Sequence, residues 1–272
     1  MKNVVALFIG LLAFVGAIAQ QNDTALLRSL NVSEVKKYQR IHAFVGNIDT
    51  CLTEHHKLNS YGLDVFFLRD LGCSGYKQRD IVRARYVGRN MVSQTLERNN
   101  EMLVLYAFAY GKKQKQLARK TEVILTNLDT IHTEYTYYKK RRAKTLDSTR
   151  LTLINKEGSK TYVTKNTYDK KKRLLSVITV DGDGKTLAET SHTWGTDGNI
   201  KSTTNSSFGE NITFVQTFFM YDQNGRVVET NDTHSRQNIY LYTDMGLLSN
   251  VLGYNAKGEL EIEFMYEYTY TK

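Results

Sequence analysis

Tyr221-Asp222-Gln223-Asn224-Gly225-Arg226-Val227 reads as an aromatic residue, a polar turn and an aliphatic restart. That is the formula of a β-hairpin. The Asp222 carboxylate is suited to closing an Asx-turn on the backbone. Gly225 takes the positive φ that a type I turn with a following bulge demands. Tyr221 ends one strand and packs across it, and Val227 starts the return. Five further places carry the formula: Tyr168-Asp169 through Arg173-Leu174, Val180-Asp181-Gly182-Asp183-Gly184 through Leu187, Trp194-Gly195-Thr196-Asp197-Gly198-Asn199-Ile200, Tyr242-Thr243-Asp244-Met245-Gly246-Leu247-Leu248, and Tyr254-Asn255-Ala256-Lys257-Gly258-Glu259-Leu260. A weaker copy precedes them at Ile154-Asn155-Lys156-Glu157-Gly158. The starts are separated by 12, 14, 27, 21 and 12 residues, about one hairpin each. Units of this length cannot bury an apolar face alone and must stack on neighbours.

Working outward, Phe264, Tyr266, Tyr268 and Tyr270 alternate with Met265, Glu267 and Thr269. That period of two belongs to a half-buried strand. The chain has no proline, so its turns depend on Gly, Asn and Asp. Over 101–135, Met102–Phe108 can end a helix or start a buried strand, and the β-branched and aromatic residues of Glu122–Thr126 and Thr133–Tyr138 favour the strand.

The turn formula resembles the YD (Rhs-type) repeats of bacterial surface and secreted proteins. There a Tyr-Asp pair precedes a polar turn, Gly, a basic residue and an aliphatic residue. Tyr221 to Val227 is the closest match, whereas Tyr168-Asp169 has Lys172 in place of Gly, and the other units lose Tyr, Asp or the basic residue. The resemblance covers roughly residues 150–272. It implies an antiparallel sheet that wraps or encloses, built of repeats that perform no chemistry themselves. The Gln-rich segment after the leader resembles exported proteins of Bacteroidetes-type bacteria.

The first hundred residues have a different texture. Val35, Tyr38, Ile41, His42, Val45, Ile48 and Leu52 recur at spacings of three and four, with Ser33 placed as an N-cap. Ile81, Val82, Tyr86, Val87, Met91 and Leu96 suggest a second helix over Arg79–Arg98. The fold expected is therefore α+β: a mainly helical region over 20–100, then an antiparallel β repeat domain over 101–272.

Residues 1–19 have the form of a signal peptide, with Lys2, an apolar run from Val4 to Ala19 and the exit Ala17-Ile18-Ala19. The run is shorter than the roughly 20 residues that a spanning helix needs, and no later stretch is apolar enough to span. The other reading is an uncleaved anchor. The first cysteine, Cys51, stands too late for a lipid anchor at the cleavage site. Export permits a disulfide between Cys51 and Cys73; two buried thiols are the alternative. The formal charge is +9, concentrated in Lys112–Lys120, Lys139–Lys144 and Lys170–Arg173, and reversed after residue 201. Solvated loops and strand faces account for it; anionic lipid, polysaccharide or nucleic acid would be attracted by it, although export disfavours nucleic acid.

Signatures of chemistry are missing from the sequence. Glu54-His55-His56 lacks the three- or four-residue spacing of helical ligands. Asp181-Gly182-Asp183-Gly184 lacks the later positions of a calcium loop. No nucleophile elbow, phosphate loop or dinucleotide fingerprint occurs, so no cofactor, metal or catalytic residue is assigned. Asn22, Asn31, Asn205, Asn211 and Asn231 each begin an Asn-x-Ser/Thr sequon. The expectation is a non-catalytic exported binding or structural protein, periplasmic or extracellular, with a polysaccharide or protein partner. A secreted eukaryotic glycoprotein or effector acting on a receptor is the alternative.

Overall fold

The computed structural model describes residues 25–41, 50–70, 78–111, 116–137, 145–208 and 212–271. One helical turn over 25–29 precedes eighteen β-strands. They are β1 (Val32–Ile41), β2 (Cys51–Leu58), β3 (Asp64–Asp70), β4 (Arg79–Val87), β5 (Asn90–Arg98), β6 (Glu101–Tyr110), β7 (Leu117–Ile124), β8 (Asp129–Tyr137), β9 (Leu146–Asn155), β10 (Gly158–Tyr168), β11 (Leu174–Val180), β12 (Thr186–Trp194), β13 (Ile200–Phe208), β14 (Ile212–Tyr221), β15 (Val227–Asp232), β16 (Gln237–Tyr242), β17 (Leu248–Tyr254) and β18 (Leu260–Tyr270).

The described residues are thus nearly all β, and the expectation of an α+β fold with a helical region over 20–100 is overturned. Strands β1 to β5 occupy the described part of that region. The reason lies in which faces the apolar residues take. In β1, Val35 and Ile41 stand opposite Tyr268 and Ile262 of β18, while Tyr38 belongs to the other face and donates its hydroxyl to Glu267 Oε2 at 3.0 Å. A tyrosine tolerated on the wetter face filled in a spacing of three that no single face possesses. Ser33, the expected N-cap, is a bulge residue whose hydroxyl donates to the Thr269 carbonyl. Over 79–98 the expected helix is a hairpin. Gly88, with φ +61, opens a two-residue turn that pairs Val87 with Asn90. Val82, Ala84 and Tyr86 alternate there with the exposed Arg83, Arg85 and Val87.

Two compact units divide the residues, 65–218 on one hand and 1–64 with 219–272 on the other. In the first, each strand pairs antiparallel with the next from β3 to β14. Its covered face holds the buried Asp80, Val104, Ile131, Thr133, Asn166, Ala188, Thr190, His192 and Thr203. Its opposite face carries Arg83, Arg85, Arg119, Glu134, Arg150 and Lys165, all exposed. In the second unit the order is β15, β16, β17, β18, β1, β2, so that the first strand lies between the last and the second. Fully buried side chains are rare; Leu247, 1% exposed, and Thr203, 0% exposed, are the largest of them among the described residues. Cross-strand pairs therefore contribute a large share of the cohesion, at roughly 0.2–1 kcal/mol each.

Candidate functional site

The residues with the most chemical capacity gather at the hairpin turns. Eight turns among the described residues share one hydrogen-bond pattern, beginning at Asn59, Asp169, Asp181, Gly195, Asp222, Asp232, Thr243 and Asn255. In each, the first residue's N–H donates to the carbonyl four residues on, and the N–H of the fourth residue donates back to the first carbonyl. The fourth residue has φ between +59° and +91°. This is a type I turn followed by a left-handed residue, a three-residue hairpin loop.

Side chains complete the turns. Asp222 Oδ1 accepts from the N–H groups of Asn224 and Arg226, both at 2.9 Å. Asp181, Asp232, Asn255 and Asn59 repeat the arrangement. In the Trp194 unit, whose first turn residue is Gly195, Asp197 accepts from the Asn199 N–H instead. The carboxylates of Asp181 and Asp183 therefore sit in an Asx-type turn, with Asp181 Oδ1 already accepting two backbone donors.

Where arginine occupies the fifth position it chelates the same aspartate. Arg226 Nε donates to Asp222 Oδ2 at 2.7 Å, Arg173 Nε to Asp169 Oδ2 at 2.6 Å, and Arg236 Nε to Asp232 Oδ2 at 2.9 Å. The backbone N–H of Arg226, followed by its guanidinium, holds the Asp222 carboxyl below its ordinary range. For Asp169 and Asp232 burial works upward, and the arginine backbone and side chain outweigh it, so these pKa values also fall. The guanidinium planes then lie over the aromatic residue of the next hairpin: Arg173 is 5.1 Å from the Trp194 ring and Arg226 is 4.7 Å from the Tyr242 ring.

The aromatic residues form a second, longer-range series. Tyr168 donates to the Leu146 carbonyl at 2.8 Å, Trp194 Nε1 to Leu174 at 2.8 Å, Tyr242 to Val227 at 2.8 Å and Tyr268 to Leu248 at 2.6 Å. Tyr110 and Tyr137 do the same to Met91 and Leu117, both at 3.1 Å. In each case a residue at or near the end of one strand reaches a carbonyl near the start of the preceding strand. A register shift lies beside Tyr86, Tyr110, Tyr137, Tyr168, Trp194, Tyr242 and Tyr254, leaving one bulged residue on the partner strand. Sequence reading missed four members of this scheme. The turns at Asn59 and Asp232 lack a preceding aromatic, and Asp232 has Ser235 where Gly was sought; the segments 112–115 and 138–144 that follow Tyr110 and Tyr137 lie outside the described residues. The tyrosine spaced about 20 residues from an aliphatic strand start was the available signal.

Ionisable residues also meet inside the sheets. On the covered face of the second unit, Lys37 Nζ lies 3.3 Å from Glu54 Oε1, Glu54 Oε2 lies 3.7 Å from His56 Nε2, and His56 Nδ1 lies 3.0 Å from Asp64 Oδ1. Burial favours neutral Glu54, but His56 and Lys37 prevail and hold its pKa at about 2. Burial likewise opposes the His56 cation, and Asp64 and Glu54 prevail, raising it to about 9. His55 points to the other face, toward Glu34 at 3.1 Å. In the unit 65–218, Asp80 receives Arg98 Nε and Nη2 at 2.8 and 3.0 Å. His192 Nδ1 and Thr203 Oγ1 are 2.9 Å apart, a base beside a hydroxyl, yet Thr203 is 0% exposed and beyond the reach of any substrate. Among the described residues no three His, Cys, Asp or Glu side chains converge as a metal centre.

Cys51 opens β2, whereas Cys73 lies outside the described residues, as do Asn22, Asn211, the leader over 1–19 and most of the first two basic runs. Asn31 occupies a turn at φ +52°. Asn205 Oδ1 accepts from Thr190 Oγ1 at 2.9 Å, and Asn231 Nδ2 donates to Glu229 Oε1 at 2.7 Å. No helix among the described residues is long and apolar enough to cross a membrane, which leaves strands unaddressed.

No family model matches the chain, and no curated protein does. Solved structures similar to it include a porin-like protein from Bacteroides uniformis, at 8% identity and TM-score 0.46, covering 88% of this chain and 98% of that one. A porin-like protein from Bacteroides vulgatus shows 10% identity and TM-score 0.33 over the same shares. The complex TcdB2-TccC3-Cdc42 shows 11% identity and TM-score 0.34, covering 84% of this chain and 14% of that one.

Proposed function

We propose that this chain is a non-catalytic exported β scaffold of YD-like hairpins, with a binding or structural role outside the cytoplasm. The observation that carries the reading is the engagement of the turn residues. Asp169, Asp222 and Asp232, their arginines and the strand-end aromatics are consumed in holding turns and strand ends. A carboxylate saturated by two or three backbone and guanidinium donors has a depressed pKa, the reverse of what a general acid near neutral pH needs.

The polar face of the unit 65–218 refines the reading. A bilayer-spanning strand presents an apolar band to lipid, and a cation at its midplane costs roughly 2–4 kcal/mol. Arg83, Arg85, Arg119, Arg150 and Lys165 stand exposed within their strands. Contact with water or with a polar partner suits that face better than contact with acyl chains. Screening the purified mature protein against a broad panel of hydrolase substrates tests the reading, with no turnover expected. Turnover abolished by one carboxylate substitution would overturn it.

A further inference from the structure

The exposed face of β13 and β14 combines two aromatic rings with hydroxyls and an amide. Phe214 and Phe218 stand on it, 56% and 44% exposed, with Gln216 between them. The register places Ser206 opposite Phe214, Thr204 opposite Gln216 and Ser202 opposite Phe218. Gln216 Nε2 donates to Ser202 Oγ at 3.3 Å, and Ser202 Oγ is paired with Thr193 Oγ1 at 2.5 Å, so the amide is held along the sheet. A further hydroxyl pair, Thr167 with Ser176 at 2.7 Å, lies on the same face across β10 and β11, where the exposed Lys165 stands beside it. Glu189, opposite Ser206, borders it. In a chain that is 24% charged, these register positions on β13 and β14 carry no ionisable group.

We infer that this face is a docking surface for a neutral polysaccharide, an inference that rests on the binding-scaffold reading. Two exposed rings four residues apart on one strand are separated by about 13 Å at the usual rise of a strand. Each can stack on a different sugar ring of one chain. The hydroxyls of Thr204 and Ser206 and the Gln216 amide offer both donors and acceptors to sugar hydroxyls between the rings. At these positions of β13 and β14 a charged protein partner has nothing to pair with, and an acidic polysaccharide finds no cation. The uncharged aromatic, hydroxyl and amide composition selects the occupant.

Affinity electrophoresis of the mature protein through gels containing dextran, mannan or arabinoxylan, with alginate as the acidic comparison, tests this. At least one neutral polymer should retard the wild type, and F214A/F218A should lose about ten-fold in apparent affinity while keeping its circular-dichroism spectrum. Leu105→Ala, an exposed apolar change on β6, should bind as the wild type does. Retardation by alginate alone, or by no neutral polymer, overturns the inference. Retardation that survives F214A/F218A also overturns it while leaving the scaffold reading intact; release of reducing sugar would instead sink the scaffold reading. Sedimentation showing a dimer that F214A/F218A dissociates would assign the face to a second copy, again against the inference.

Discussion

The Tyr268 hydroxyl donates to the Leu248 carbonyl oxygen at 2.6 Å, one of the aromatic contacts that tie the end region of one strand to the start of the one before. Removing such a donor leaves a partly buried carbonyl without that partner, at a cost of about 1 kcal/mol. Tyr137→Phe, Tyr168→Phe and Tyr268→Phe should each lower stability by that amount in urea unfolding. Equal losses would show that one device operates from β8 to β18. A loss confined to Tyr168 and Tyr268 would restrict it to the part of the chain where the turn formula is legible.

Lys172 and Ser235 hold φ +66° and +59° at the turn position that glycine fills in the other six. A side chain in the left-handed region costs on the order of 1 kcal/mol. Lys172→Gly and Ser235→Gly should therefore raise the unfolding midpoint, and Gly225→Ala, at φ +76°, should lower it.

The cluster around His56 predicts how stability follows pH. Glu54 has a folded pKa of about 2 against an ordinary 4.5, so its contribution is complete above 4.5 and disappears as pH falls toward 2. His56 has a folded pKa of about 9 against 6.5, so its contribution is complete below 6.5 and is lost as pH rises through 9. The depressed Asp169, Asp222 and Asp232 add to the acid loss. Urea midpoints across pH should be highest between 4.5 and 6.5. His56→Gln should flatten the alkaline limb and leave the contribution of the three aspartates to the acid limb in place.

Export and cysteine pairing are checked together by intact mass. The secreted product should begin at Gln20, and its two cysteines should resist iodoacetamide until reduced. Two carbamidomethyl groups gained without reductant would remove the disulfide from the proposal.

The hairpin turns were legible because their chemistry is local: Asp222 to Arg226 contains both the Asx acceptor and the residue of positive φ. The strands of the first hundred residues were not. Their apolar residues are divided between two faces, as with Val35 and Tyr38, and tyrosine serves either face. Asn59-Ser60-Tyr61-Gly62 is rich in turn-forming residues, but its likeness to the later turns shows only in its hydrogen bonds, since Leu58 precedes it in place of an aromatic. The uncharged face of β13 and β14 depends on cross-strand register, which one sequence does not state.

The pairing of β1 with β18, Val35 beside Tyr268 and Ile41 beside Ile262, has a consequence for biogenesis. These partners are more than 200 residues apart along the chain. During synthesis, the edge of β1 that faces β18 is without that partner until residues 260–270 have been made. Closing so long a loop is entropically slow, and an open strand edge invites pairing with foreign chains. Until residues 260–270 are made, one edge of β1 lacks its partner, and the two ends of this sheet can close only after the long segment between them.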